Sequence, residues 1–165
     1  MGDRRFDAIV IGGGAAGLFC AIEAGRRGKR VAVLERNSQV GRKIIISGGG
    51  RCNFTNLDVR SEHFISQNPH FAKSALAGFT PQDFIQLVKR HKIPFQEKKH
   101  GQLFCRGSSR AIVEMLLAEA KAAKVKIVTG AEIKGVEHAG HFVIRTDASS
   151  FEADNLVVAS GGLSF

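Results

Sequence analysis

Apolar positions along the chain follow two periods. Two short unbroken runs, Ala8-Ile9-Val10-Ile11 and Val31-Ala32-Val33-Leu34, have the length and β-branched content of strands buried on both faces. Between them Leu18, Phe19, Ala21 and Ile22 recur near one face of a helix that runs to about Arg27, with Gly28 as its stop. Cys20, inside that helix, reads as a small buried hydrophobe. Residues 57–67 are polar and rich in turn formers, and 71–79 predict a short helix. Thr80-Pro81-Gln82-Asp83 is a helix start, with a hydroxyl cap, proline in the first turn and an acid near the positive end. Phe84, Leu87, Val88 and His91 then share one face through Lys92, and Pro94 stops the helix. Residues 95–106 read as a turn or hairpin leading to Leu103-Phe104-Cys105.

After that hairpin Ser108 or Ser109 caps a helix to about Ala123, with Ile112, Val113, Leu116, Leu117 and Ala120 as its core stripe. Four β patterns complete the chain, at 125–129, 132–137, 142–146 and 151–159. The first is a third parallel strand beside the two early runs, and the other three alternate around Ala139-Gly140 and Ala148-Ser149 as antiparallel hairpins do. The last, Leu156-Val157-Val158-Ala159-Ser160-Gly161-Gly162, reads as a buried strand ending in small residues.

Chemistry enters where the first strand turns into the first helix, through Gly12-Gly13-Gly14-Ala15-Ala16-Gly17. A pyrophosphate needs backbone N–H groups at close range, and a helix N-terminus supplies both the donors and the positive end of the peptide dipole. Gly12 suits the tight turn, Gly14 leaves room for phosphate beside the backbone, and Gly17 lets the helix lie close to the strands. Glu35 ends the second strand at the spacing from which a carboxylate reaches the adenosine ribose. Arg36, beside it in the cofactor site, could suggest a 2′-phosphate of the NADP type, but the preceding acid would repel that phosphate. A second glycine cluster, Ser47-Gly48-Gly49-Gly50-Arg51-Cys52-Asn53, follows Arg42-Lys43 and an apolar triplet, and reads as a donor-rich loop suited to ligand contact.

Composition narrows the class. With 165 residues, one domain with a real core is expected. No apolar run approaches a membrane span, and Asp3, Arg4, Arg5 and Asp7 stand where a secretory signal would be apolar, so the expected location is cytoplasmic. Cys20, Cys52 and Cys105 read as reduced thiols, without metal-ligand spacing. His63, His70 and His91 also lack such spacing, so no metal is expected. The formal charge is +9, and residues 1–60 hold eleven Lys/Arg against five Asp/Glu, much of the excess beside the glycine loops where an anionic cofactor would use it. All the aromatic residues are Phe, without a stacking run beside the basic groups, which argues against nucleic acid as the main partner.

The run Gly41-Arg42-Lys43 through Ser47-Gly48-Gly49-Gly50-Arg51-Cys52-Asn53 and Thr55-Asn56 resembles the signature of the HI0933-like bacterial flavoproteins. These are often called NAD(P)/FAD-dependent oxidoreductases, with relatives described as aminoacetone oxidase-like or bile-acid steroid reductase-like. The resemblance implies an α/β fold of the glutathione-reductase type: a Rossmann-like FAD-binding domain with a parallel sheet and an inserted antiparallel β-meander. It implies FAD as cofactor, with Gly12, Gly14, Ala15, Ala16 and Gly17 at the pyrophosphate and Glu35 at the ribose. Arg42, Lys43 and the loop from Ser47 to Asn53 would pack along the phosphates and toward the flavin, and Ile133 would lie near the adenine. Ala159-Ser160-Gly161-Gly162 resembles the family's Ala-Thr-Gly-Gly turn, with Ser160 for threonine, close to the cofactor. Cys52 matches the family's cysteine, no partner cysteine is expected beside it, and Cys105 stands where proline is common.

Members of that family run to more than twice this length, so the chain is expected to be an N-terminal part, lacking the substrate domain and a later FAD-binding segment. The implied function is hydride transfer through FAD between NAD(P)H and a small organic substrate or oxygen, without a catalytic side chain assigned and with the oligomeric state open. The alternative is a non-catalytic dinucleotide-binding module or a basic nucleic-acid-binding one.

Overall fold

The computed structural model describes residues 5–162; Asp3 and Arg4, and the terminal Phe165, lie outside them. The chain forms two compact units, one from the residues up to Ile44 and from Leu116 onward, the other from Ile45 to Met115.

The first unit is built on a six-stranded sheet. The apolar runs become β1 (Arg5–Ile11) and β2 (Val31–Glu35), with α1 (Ala15–Arg26) between them. Later in the chain come β6 (Lys126–Thr129), β7 (Ile133–His138), β8 (Phe142–Thr146) and β9 (Ser150–Val158). The spatial order is β6-β2-β1-β9-β8-β7. The first four are parallel, and β9-β8-β7 form the expected antiparallel meander. Alternation along β1 and β2 divides their side chains between two cores. Val10, Val31 and Val33 pack with Ala21 of α1 on one face, while Ile9, Ala32 and Leu34 pack with Ile144, Phe151 and Ala153 on the other. All five residues of β2 are buried, as a central parallel strand requires. Arg26, in the last turn of α1, bridges to Glu23 and to Glu119.

Two expectations for this unit are corrected. Cys20 is exposed, because the buried side of α1 is Gly17, Leu18, Ala21 and Ile22 and position 20 falls on the opposite side. The end of β9 is not buried: Leu156 and Val157 are half-covered and Val158 is 70% exposed. There β9 pairs with β1 on one side only, since its pairing with β8 runs no further than Ala153.

The second unit carries a three-stranded antiparallel sheet of order β3-β5-β4, made of β3 (Asn53–Asn56), β4 (Phe95–Glu97) and β5 (Gln102–Cys105). The hairpin anticipated at 95–106 is the β4-β5 pair, and β3, inside the glycine-rich signature, joins it as an unpredicted third strand. α3 (Lys73–Gly78) and α4 (Pro81–Arg90) lie in the same unit. Thr80 caps α4 as expected: its Oγ1 accepts from the Asp83 backbone N–H at 3.2 Å, and the Asp83 carboxylate accepts from the Thr80 N–H at 2.8 Å. α4 buries Ile85, Leu87 and Val88, with Phe84 and His91 only half-buried. The chain passes between units within α2 (Arg42–Gly50) and α5 (Arg110–Ala122). In α5 Met115 is buried, while Leu117, expected in the stripe, is 36% exposed. Of the two candidate caps, Ser108 Oγ accepts from the Arg110 N–H, whereas buried Ser109 donates its hydroxyl to Ile45 O at 2.6 Å. Among the described residues no helix is long and apolar enough to cross a membrane.

Candidate dinucleotide site

β1 delivers the chain into the glycine turn at Gly12, whose φ of +110° belongs to glycine. A Cβ there would come within 2.3 Å of Ala159 O, and a Cβ on Gly17 within 2.0 Å of Gly12 O. These two glycines therefore serve the packing of strand, turn and helix. Gly14 differs: it has ordinary extended angles (φ −80°, ψ −174°), and nothing lies within 4 Å of where its Cβ would stand. Gly14 is the N-cap of α1, with neither a side-chain cap nor an acid in the first turn. The first-turn N–H groups of Ala15, Ala16 and Gly17 thus face the open side of Gly14 with the positive end of the helix dipole behind them.

Glu35 supplies the carboxylate beside this turn. It is 8% exposed and accepts from the Gly13 N–H through Oε2 at 2.8 Å. Its Oε1 accepts from the backbone N–H of Asn37 at 2.8 Å and from Asn37 Nδ2 at 2.5 Å. Each carboxylate oxygen has two acceptor positions, so Oε2 retains one for an outside donor. Asn37 escaped the sequence reading, although an amide two residues past an acid is a local hydrogen-bonding signal. It also accepts Arg42 Nη1 on Oδ1 (2.7 Å) and Gly130 N–H on its carbonyl (2.9 Å), so it fixes the rim on which Glu35 stands. Arg36 is exposed beside that rim.

Of the other predicted residues of this unit, Ala159 and Ser160 lie against Gly12. Ala159 N–H donates to Ile11 O at 2.8 Å, continuing β9 alongside Gly12. Ser160 and Gly161 follow, exposed, and Lys43 Nζ donates to Gly162 O at 2.8 Å. Arg42 and Lys43 are thus engaged as braces of the rim and of the end of β9. Ile133 opens β7 two residues after Ala131, whose N–H donates to Glu35 O at 2.9 Å, and its side chain packs on the core.

The second glycine cluster belongs to the other unit and is organised internally. The helix starting at Arg42 breaks at Ser47 (φ −64°, ψ 148°), and Gly48 and Gly49 are left-handed at φ 57° and 65°. A Cβ on Gly48 would meet Phe104 at 2.7 Å and Asn53 N at 2.8 Å. Gly49 has open space around its Cβ position, as has Gly50, which accepts the Ser109 N–H at 2.8 Å, and Arg51 is exposed. The Asn53 amide, with its nitrogen toward Leu103 O (3.2 Å) and Thr55 O (3.1 Å), ties the loop to the sheet. Cys52 is buried, and contrary to expectation a second cysteine neighbours it: Cys105 N–H donates to Arg51 O at 3.0 Å. Burial pushes both thiols up, Cys105 to about 11, with Cys52 adding to the effect on Cys105; a hydrogen bond with Ser47 offsets part of the effect on Cys52. Such thiols are poor nucleophiles at neutral pH.

The profile of the HI0933-like protein Rossmann domain matches residues 6–165. The chain belongs to the HI0933-like family. It is 49% identical over 163 residues to a ribosomal RNA dihydrouridine synthase of Escherichia coli K12, covering 98% of this chain and 40% of the relative. It is 34% identical to a 3-dehydro-bile acid delta(4,6)-reductase of Clostridium scindens, over 93% of this chain and 38% of the relative. Among solved structures, a 3-ketosteroid-delta4-(5alpha)-dehydrogenase of Rhodococcus jostii RHA1 superposes with a TM-score of 0.71 at 17% identity, over 97% of this chain and 46% of that one. The chain therefore spans about 40% of the length of these two curated relatives. The structural likeness bears out the Rossmann-like α/β fold with its meander.

Proposed function

We propose that this chain is the FAD-holding part of a flavin-dependent oxidoreductase that reduces uridine in ribosomal RNA to dihydrouridine, with NAD(P)H as electron donor. The observation that carries the cofactor assignment is the empty space at Gly14 before an uncapped helix N-terminus, with the Glu35 carboxylate fixed alongside. These residues fit a dinucleotide. The N–H groups of Ala15, Ala16 and Gly17 would bind the pyrophosphate, and the remaining acceptor position of Glu35 would hold a ribose hydroxyl. Asn37 keeps the carboxylate oriented through two donors to Oε1. When bound and reduced by NAD(P)H, the flavin would supply the hydride that a pyrimidine double bond needs, with a proton completing the reduction.

The 49% identity to the ribosomal RNA enzyme across 98% of this chain supports RNA as substrate over a small organic molecule. RNA as substrate departs from the expectation, drawn from the aromatic residues alone, that nucleic acid is not the main partner; it gives the charge of +9 a second use beyond the cofactor, and a ribosomal substrate agrees with a cytoplasmic location. The test is the visible spectrum of the purified chain after incubation with FAD and desalting, with the released cofactor identified by chromatography. We expect a retained flavin band that is lost in Glu35→Arg. A folded chain that retains no flavin would overturn the cofactor assignment.

A further inference from the structure

The second unit contains an open cleft of about 710 Å³, lined by α4, β4 and β5 with Arg106 just beyond. α4 presents Gln82, Gln86 and Lys89 to it, at the i, i+4 and i+7 spacing of one helix face. Phe95, Gln96 and Glu97 of β4 line it together with Arg106, and Leu57, Ile85 and Leu103 add an apolar part beside the Phe95 ring. Among the described residues the side chains of Gln82, Gln86, Lys89 and Gln96 make no hydrogen bond, so their donors and acceptors face the cleft or solvent unspent. Arg106 is anchored through Nε, which donates to Phe95 O at 3.2 Å, leaving its two terminal nitrogens for a ligand. Phe95 is half-buried and braced edge-on by Phe54, with ring centroids 5.5 Å apart.

This composition selects a class of ligand. A site for a bare anion would exclude Glu97 and the apolar part made by Phe95, Leu57, Ile85 and Leu103, and a site for a purely apolar molecule would not add three unpaired amides, a lysine and an arginine. A nucleotide in a strand uses all of them. Its phosphates take Lys89 and Arg106, its base stacks on an aromatic ring, and the base edge meets amides and a carboxylate able to accept an N–H. The surroundings agree: from Lys89 to Arg110 the chain carries seven Lys/Arg against one acid, Glu97, and Arg90, Lys92, Lys99 and Arg110 are exposed.

We propose that this cleft is a binding site for single-stranded RNA, holding an unpaired nucleotide between α4 and the β4-β5 hairpin. The inference rests on the ribosomal RNA reading above and deepens it, by giving the chain its own grip on the substrate outside the dinucleotide site.

The test measures fluorescence anisotropy of a labelled single-stranded RNA titrated with the full chain, alongside a duplex of the same composition. Lys89→Ala with Arg106→Ala should weaken single-strand binding at least about tenfold. The same pair should flatten the plot of log affinity against log salt by about 1.4, at about 0.7 for each phosphate no longer neutralised. Phe95→Leu should cost about tenfold with the salt slope unchanged, since stacking carries no counterion release. Lys89→Arg with Arg106→Lys should restore the slope, and equal circular dichroism and flavin retention show that each variant is folded. If the wild-type chain binds the RNA and the alanine pair binds it equally well with the same slope, the cleft assignment falls and the RNA reading stands. If the wild-type chain does not bind RNA, both fall. Loss of RNA binding in the alanine pair with flavin retained supports both.

Discussion

Gly14 and Gly17 lie three residues apart in one turn, and the structure separates their roles sharply enough to test. At Gly14 an alanine keeps φ −80° and ψ −174°, angles open to any residue, and its methyl meets nothing within 4 Å. Two small effects on stability then oppose each other. Alanine restricts the unfolded chain, which stabilises by about 0.4–1 kcal/mol, and it is a poorer N-cap than glycine by a comparable amount. The net change should stay within about 1 kcal/mol, or about 2–4 °C in Tm for a domain of this size. The methyl would nevertheless stand where phosphate must approach the Ala15 and Ala16 amides. Losing one charge-assisted hydrogen bond of about 1.5–3 kcal/mol should weaken FAD binding at least about tenfold. In Gly17→Ala the methyl would fall 2.0 Å from Gly12 O, so turn and helix must separate, and the loss is one of fold, at about 1–3 kcal/mol or more. Thermal melting followed by circular dichroism, paired with flavin titration, reads the two quantities apart. If Gly14→Ala melted as early as Gly17→Ala, or held flavin like wild type, the space at Gly14 would not be a ligand site.

Glu35→Gln sets an amide nitrogen against N–H donors on one oxygen position of a carboxylate that accepts from Gly13 and twice from Asn37, and should cost about 1–3 kcal/mol even without FAD, measured by urea denaturation. One thiol per native chain, Cys20, should react quickly with a maleimide at neutral pH, with Cys52 and Cys105 reacting only on unfolding; rapid labelling of all three would contradict their burial. Cys105 also gives a pH signature. Its folded thiol holds its proton to about 11 against an ordinary value of 9.0, so the unfolded chain binds fewer protons between those limits and stability should fall as pH rises through them. Cys105→Ala should flatten that slope in denaturation curves taken across the range.

The parallel core was legible because its signal is local: continuous apolar runs separated by a glycine turn leave few alternatives to β1, α1 and β2. The acid at position 35 was legible for the same reason. What the sequence withheld depended on pairing partners. Asn53-Phe54-Thr55-Asn56 has too little apolar content to announce a strand, and becomes β3 by pairing with β5 some fifty residues later in the chain. The neighbouring of Cys52 and Cys105 follows from that same pairing and had no trace in their spacing. Val157 and Val158 looked buried because β-branched residues usually are in a parallel strand, whereas the exposure of Val158 reflects the missing neighbour on one side of β9. Cys20 is a different failure, since the helical period placed it opposite Leu18 and Ala21 and needed only to be followed strictly.

The pairing of β1 with β9 joins Arg5 to Glu152 and Ile11 to Val158, across almost the whole chain. Closing so long a loop carries a larger entropic cost than any pairing within residues 45–115, where β4 meets β5 across a few residues and β3 meets β5 across about fifty. On a growing polypeptide the second unit has all its partners in hand while β1 holds only β2 and still lacks β9 on its other edge. Pulse-labelled hydrogen exchange should accordingly protect the amides of β5 before those at the end of β9, which pair with β1 alone.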